Sequence, residues 1–61
     1  MIDLTKLNGA PIVVNVDQIE TIEATPDTVI TFANGKKMVV RESVESIISK
    51  TIEYKRKVFL P

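Results

Sequence analysis

Residues 24–43 (ATPDTVITFANGKKMVVRES) contain two runs that are typical of β-strands, separated by a strong turn signal. Thr28–Phe32 and Lys37–Val40 are rich in β-branched and aromatic residues, and Asn34-Gly35 lies between them. An Asn-Gly pair between two such runs is a strong signal for a β-hairpin. We therefore predict an antiparallel hairpin here, followed by a helix that begins near Ser43.

Two registers are conceivable for this hairpin, and they place different side chains on the same face. A two-residue turn would pair Ile30 with Val39, and each face would mix polar and apolar residues. A three-residue loop, with Gly35 in the left-handed conformation, pairs Ile30 with Met38 and separates the two kinds of residue. We therefore predict the three-residue loop. One face then carries Ile30, Phe32, Met38 and Val40, and the other carries Val29, Thr31, Lys37 and Val39.

The N-terminal region repeats this arrangement. Residues 2–6 alternate apolar and polar side chains, and residues 7–9 (LNG) repeat the x-Asn-Gly pattern. The same three-residue loop pairs Leu4 with Ile12 and Ile2 with Val14, which places all four on one face. The second strand should begin at Pro11 or expose that edge, because proline cannot donate a hydrogen bond to a sheet.

Between the two hairpins, residues 15–19 break the alternation and predict one turn of either α-helix or 3-10 helix. Residues 21–25 then form a third strand, with Ile22 and Ala24 facing inward and Glu23 outward. Pro26 and Asp27 form the turn to the next strand. The prediction is a five-strand antiparallel meander.

Ser43 is a good N-cap, and the apolar residues after it follow helical spacing. We predict an α+β fold in a single domain spanning residues 1–61, with strands within 1–41 and a helix at about 43–57 across the inner face of the sheet. The side of the helix expected to lie on the sheet carries Val44, Ile47, Ile48, Thr51, Ile52 and Lys55.

The chain has 61 residues, 8 basic and 8 acidic side chains, no Cys and no His. A chain of this length is close to the lower limit for folding alone, so we expect it to form homo-oligomers or to dock on a partner. Without Cys or His it lacks thiolate ligands and the commonest general base. The acidic residues fit no cation motif. We predict no catalytic residue, metal or cofactor, and no enzymatic activity.

The first three residues (MID) do not resemble a signal peptide, and no apolar stretch approaches the ~20 residues of a membrane span. The expected location is therefore the cytoplasm. Residues 54–60 (YKRKVFL) place basic residues beside apolar ones, which suggests a peripheral contact with a membrane surface.

Two surfaces are candidates for binding. The outer face of the sheet is expected to expose apolar side chains that would meet another protein or a second copy of the chain; these are Pro11, Val13, Val29 and Val39. Basic side chains are expected at one end of the central hairpin and at the end of the helix; these are Lys36, Lys37, Arg41, Lys55, Arg56 and Lys57.

The basic residues leave an alternative open, a small nucleic-acid-binding or regulatory module. The pI of about 6.1 and the low aromatic content argue against nucleic acid as the partner. Phosphate-driven binding would weaken steeply with added salt, whereas a contact centred on valines would not.

Several stretches resemble the small flagellar FlbD/SwrD family: residues 2–9 (IDLTKLNG), residues 19–41 (IETIEATPDTVITFANGKKMVVR) with the ESVE that follows, and residues 52–57 (IEYKRK). The two x-Asn-Gly turns, the EATPDT turn and the VRES helix entry occur in the family order. The resemblance implies a non-enzymatic cytoplasmic factor that supports flagellar motor power and swarming motility, by acting on the stator at the cytoplasmic face of the motor. It implies a motor or stator component as the partner, and it carries over no individual site residue.

A second resemblance is confined to fragments. IEA, VIT and GKKMVVRES are similar to part of the LytTR DNA-binding domain. That domain is considerably longer, and this chain lacks the strands that would complete it. We attribute the likeness to features that many hairpin sequences share.

Overall fold

The computed structural model describes residues 1–58 in full and the backbone of Phe59. The elements are β1 (Ile2–Thr5), β2 (Pro11–Val14), a 3-10 turn (Val16–Gln18), β3 (Ile19–Ala24), β4 (Thr28–Phe32), β5 (Lys37–Val40) and α1 (Val44–Phe59). The predicted α+β class is confirmed, and the helix extends two residues beyond its predicted end. Leu60, the last residue of the segment predicted to contact a membrane surface, and Pro61 lie outside the described residues.

Both Asn-Gly turns adopt the predicted three-residue loop. In the first hairpin Leu4 is opposite Ile12, and β2 begins at the proline as expected. In the second, Ile30 is opposite Met38. The glycines Gly9 and Gly35 have φ angles of 92° and 88°, which lie in the left-handed region that glycine tolerates best. Of the registers that an Asn-Gly turn allows, both hairpins therefore adopt the one that separates polar from apolar residues.

β3 pairs with β4 as predicted, with Ile22 opposite Ile30. A bulge between Ile19 and Thr21 lets the strand begin earlier than residue 21. The inward placement of Ala24 was wrong: this residue is exposed. It is the last residue of β3 and lies at the margin of the sheet, next to the turn.

The five strands form two antiparallel sheets instead of one continuous meander. β1 and β2 make the first sheet, and β3, β4 and β5 make the second in that order. The predicted helical turn lies between them as a 3-10 turn, capped by Asn15, whose side-chain oxygen accepts a hydrogen bond from the Asp17 amide at 3.0 Å. Val16 in this turn is buried in the core, so the connection between the two sheets packs with them.

The two sheets meet where β1 and β5 end. Lys6 forms an isolated antiparallel bridge with Val40, and the Arg41 amide donates a hydrogen bond to the Thr5 carbonyl at 2.9 Å. The core lies between the sheets and the helix, and each of these three layers contributes to it. Its buried members are Ile2, Leu4, Val14, Val16, Ile30, Val40 and Ile47.

Helix α1 begins with the predicted cap. The Ser43 hydroxyl accepts a hydrogen bond from the Ser46 amide at 3.1 Å, and Glu45 lies in the first turn. An acidic side chain at this end interacts favourably with the helix dipole.

The face of the helix that packs on the core differs from the prediction. Ile47 is completely buried, but Ile48 and Ile52 are 49% and 55% exposed, so the prediction that they face the sheet was wrong. The inner row is Ile47, Thr51 and Tyr54, in which Thr51 is half-buried and Tyr54 packs against the core. Two neighbouring rows of side chains on a helix are separated by a small rotation about the helix axis, so a small rotation brings one row inward in place of the other. In the row that faces the core, Tyr54 supplies a large apolar area.

Candidate functional site

The outer face of the three-stranded sheet contains one apolar pair. Val29 in β4 is directly opposite Val39 in β5, and both are half-buried. Side chains directly opposite each other in a sheet are close enough to pack together. Two of the four residues predicted for the apolar surface are therefore in contact range.

Polar residues border this pair. On the same face, Val29 has Glu23 as its neighbour in β3, and the next pair along the strands is Thr31 with Lys37. The valine pair is thus a small apolar centre with one acidic and one basic side chain at its edge. This arrangement resembles the apolar core and polar rim of a protein interface, on a reduced scale.

The other two predicted residues belong to the separate two-stranded sheet. Val13 is opposite Asp3 and is 62% exposed, and Pro11 is opposite Thr5. No ladder of hydrogen bonds joins β2 to the three-stranded sheet within the described residues. The surface predicted as one patch is therefore divided between two sheets.

The β4–β5 turn, which carries Lys36, lies at the same end of the molecule as the end of the helix. The 3-10 turn connects them through two contacts. The Lys55 ammonium in α1 lies 2.8 Å from the Asp17 carboxylate. The Ala33 amide, in the β4–β5 turn, donates a hydrogen bond to the Gln18 carbonyl at 2.7 Å. Lys36 follows in that same turn. The β4–β5 turn and the end of the helix therefore both contact the 3-10 turn.

Acidic partners offset part of that positive charge. The pKa of the Asp17 carboxyl is below its ordinary value, because the Lys55 ammonium donates a hydrogen bond to it and attracts its negative charge. Lys57 lies 3.5 Å from Glu53, one helical turn away. These pairs leave Arg56 as the exposed basic residue of the helix end without an ion pair among the described residues.

Arg41 lies at the opposite end of β5 and has a structural contact. Its side-chain Nε donates a hydrogen bond to the Leu7 carbonyl at 3.0 Å. This contact joins the first Asn-Gly turn to the segment that precedes the helix. Arg41 is therefore separated by the length of β5 from the basic residues of the β4–β5 turn.

Glu42 supplies the second contact between these segments, and no pattern in the sequence predicts this contact. Its carboxylate oxygens accept hydrogen bonds from the Thr5 amide at 2.9 Å and the Thr5 hydroxyl at 2.8 Å. Partial burial acts to raise the pKa of the Glu42 carboxyl, but the hydrogen bonds from Thr5 outweigh it, and the pKa is lowered. The carboxylate is thus held ionised as a clamp on β1.

The helix presents a second apolar surface that was not predicted. Ile48 and Ile52 are one turn apart on its exposed side. A shallow depression beside them is lined by Ser49, Ile52, Glu53, Arg56 and Lys57.

No group of three or more acidic side chains within residues 1–58 is placed to hold a metal ion. Of the described part of the chain, no helix has the length and hydropathy needed to cross a membrane.

Comparison with known proteins supplies the context for these surfaces. The family profile described as "FlbD: Flagellar and Swarming motility proteins" matches residues 1–59. No curated protein and no solved structure has a significant match to the chain. The profile covers every element of the fold, from β1 to the end of α1, and it confirms the predicted family. The chain belongs to the FlbD family, and its role is in flagellar and swarming motility.

Proposed function

We propose that this protein is a non-enzymatic interaction protein that supports flagellar motor torque and swarming motility. It acts on stator function from the cytoplasm, at the cytoplasmic face of the motor. The observation that carries the proposal is the Val29–Val39 pair on the outer face of the three-stranded sheet. Membership of a motility family supplies the setting, and this surface supplies a means of contact.

The outer sheet face suits a reversible contact. Its apolar centre is small, because only two valines pair there, and both are already half-buried by their neighbours. The side chains at the rim carry both signs of charge, Glu23 and Lys37, which can select the orientation of a partner. Such a surface fits a transient contact better than a permanent one.

The two carboxyls with shifted pKa values belong to structural contacts and are not suited to act as general acids. The two described carboxyls with shifted pKa values are those of Asp17 and Glu42, and both shifts are downward. Each has a structural partner that accounts for its shift, Lys55 for the first and Thr5 for the second. A catalytic acid would instead need a pKa raised towards neutrality.

The first experiment places a charge at the centre of the outer face. Cells would carry Val29→Lys or Val39→Lys, and motor torque would be measured from the rotation of tethered cells, together with the rate of swarm expansion. We expect both variants to reduce torque at high load while flagella are still assembled. Thr21→Lys adds the same charge at the exposed margin of the same face and should leave torque unchanged.

Folding must be verified for each variant, because a lysine in a central strand costs up to ~1 kcal/mol relative to valine. Circular dichroism of the purified proteins provides that control. If Val29→Lys does not fold, Val29→Thr keeps the branched side chain and removes only apolar surface. Folded Val29 and Val39 variants with wild-type torque would show that the outer face is not the working surface.

A second experiment identifies the contact directly. A photoreactive amino acid would be placed at Val13, Val39 or Arg56, and motile cells would be irradiated. The proposal expects capture of a stator or switch component at Val39. Capture of such a component at Arg56 alone would move the contact to the basic end of the helix, and capture at Val13 alone would move it to the two-stranded sheet.

A further inference from the structure

Helix α1 has two adjacent apolar rows, and the fold uses one of them. The row that includes Ile47 packs against the core, whereas Ile48 and Ile52 are about half exposed on the neighbouring face, at 49% and 55%. Exposed apolar residues scattered singly are normal. Two isoleucines one turn apart on the same helix form a continuous surface, which suggests a partner.

The charged residues around this row are arranged so that the surface complements itself. Glu45, Ser49, Ile52 and Arg56 follow one another at spacings of four, three and four, which places them along one line of the helix. The acidic residue is at one end of the line and the basic residue is at the other. Both are exposed, and neither has an ion pair among the described residues.

We propose that this line is the interface of a homodimer in which α1 packs antiparallel against α1 of a second copy. The two-fold axis would pass between residues 50 and 51. Glu45 of each copy then meets Arg56 of the other, and Ser49 of each copy meets Ile52 of the other. A two-fold interface uses the same patch on both copies, so every favourable pair occurs twice.

The antiparallel direction follows from charge and shape. A parallel pair would place Glu45 against Glu45 and Arg56 against Arg56, whereas the antiparallel pair brings opposite charges together and also opposes the two helix dipoles. The depression beside Ser49 leaves room for the isoleucine of the second copy. A small residue opposite a large one is the arrangement by which packed helices interdigitate.

A second copy fits this surface better than a lipid headgroup. Glu45 lies on the line itself and Glu53 lies in the adjoining depression, so an anionic membrane would meet two acidic side chains beside the isoleucines. The 16 residues of α1 correspond to roughly 24 Å of helix, which limits the contact to the small end of specific interfaces. We therefore expect a weak dimer that dissociates in the micromolar range.

The test is sedimentation of the purified full chain over a concentration series. We expect reversible dimerisation of the wild type, and a dissociation constant at least about tenfold higher for Ile52→Lys, because a charge replaces the buried isoleucine. Glu45→Arg and Arg56→Glu should each weaken the dimer by about fivefold through like-charge contacts. The double variant should recover an affinity close to that of the wild type.

The double variant, Glu45→Arg with Arg56→Glu, is the decisive measurement. It places both charges unfavourably with respect to the helix dipole, so the fold becomes less stable while association returns. A general loss of stability cannot produce that combination. Because the double variant also returns the net charge to zero, the effect of net charge is separated by a control that carries the same net charge as Arg56→Glu. Lys6→Glu is the matched control, because it makes the same change of charge at an exposed position outside α1 and should leave association unchanged.

Three results would overturn the proposal. A wild type that stays monomeric up to millimolar concentration excludes the dimer. A dimer that survives Ile52→Lys and Arg56→Glu but is lost in Val29→Lys belongs to the sheet face. A monomeric wild type that sediments with anionic phosphatidylglycerol vesicles, and loses that property in Ile52→Ser, assigns the row to a membrane surface. None of these measurements depends on the proposed motor role, so the two proposals can fail separately.

Discussion

Truncating two isoleucines of α1, Ile47→Ala and Ile52→Ala, tests which side of the helix holds the fold together. Each variant loses the same three carbon atoms, but Ile47 is completely buried and Ile52 is 55% exposed. At about 0.8 kcal/mol per buried methylene, the loss of apolar burial in Ile47→Ala (the transfer term) lowers the free energy of unfolding by roughly 2.4 kcal/mol. The cavity left in the core raises the expected loss to about 3–4 kcal/mol.

The same arithmetic gives a much smaller value for Ile52. Less than half of the side chain is buried, so the transfer term is about 1 kcal/mol, and the higher helix propensity of alanine offsets a few tenths of it. The net loss should be roughly 0.5–1 kcal/mol. A domain of this length is stable by roughly 3–9 kcal/mol, so Ile47→Ala removes a large share of the total and Ile52→Ala does not.

The assay is urea unfolding followed by far-ultraviolet circular dichroism. It should use the lowest protein concentration that the signal allows, so that association of α1 does not add to the measured free energy. Ile47→Val, expected to lose about 0.5–1.5 kcal/mol, keeps the test quantitative if Ile47→Ala is already unfolded. Equal losses for Ile47→Ala and Ile52→Ala would refute the assignment of the inner row.

Three further predictions concern the clamp on β1 and the second hairpin. Glu42→Gln should lower the free energy of unfolding by about 1 kcal/mol at neutral pH, because the Thr5 donors lose a charged acceptor. Folding lowers the pKa of the Glu42 carboxyl, so its contribution to stability is fully present above the ordinary pKa of 4.5 and is lost as the pH falls through the pKa of the folded state. The difference in free energy of unfolding between the wild type and Glu42→Gln should therefore disappear in acid. Chemical denaturation between pH 7 and pH 3 measures this difference, and a difference that does not depend on pH would contradict the prediction. Arg41→Lys removes the Nε donor to the Leu7 carbonyl but keeps the charge; we expect a loss of about 1 kcal/mol in the same assay, and no loss would mean the contact is not maintained in solution. Gly35→Ala should lose about 1–2 kcal/mol from its left-handed φ of 88° alone, because no atom lies within 4 Å of the added methyl group; an unchanged unfolding midpoint would show that the turn adopts another conformation.

The hairpins were predictable because their determinants are local. An Asn-Gly turn fixes the backbone of the loop within three residues, and the period of two then places Ile30 and Met38 on the same face. The cap at Ser43 is local in the same sense. For these elements the sequence contains all the information that the structure uses.

The sheet division and the helix rotation were not predictable in this way. The alternation of β3 is compatible with pairing to either neighbour, and nothing in the sequence around Val16 indicates that the 3-10 turn lies in the core between two sheets. In α1, hydropathy favours Ile48 and Ile52, but the tertiary fit selects the row that ends in Tyr54. A helix with two adjacent apolar rows does not reveal which one faces the core.

In the candidate site, the sequence predicts that Val29 and Val39 share a face, but it does not predict which other residues lie beside them. Val29 and Val39 face each other because of the hairpin register, whereas the position of Val13 depends on how the two sheets meet. Glu42 was overlooked because its partner, Thr5, is 37 residues away along the chain. Contacts at that separation leave no periodic signal in a single sequence.

The clamp between Thr5 and Glu42 has a consequence for how the protein is made. The N-terminal hairpin closes on itself early, but the groups that hold it to the remainder of the fold, Arg41 and Glu42, are synthesised more than thirty residues later. A two-stranded ribbon is at most marginally stable by itself in water. β1 is therefore secured only after the segment that contains Arg41 and Glu42 has been made, and a nascent chain that stops before residue 42 lacks both of these contacts as well as α1.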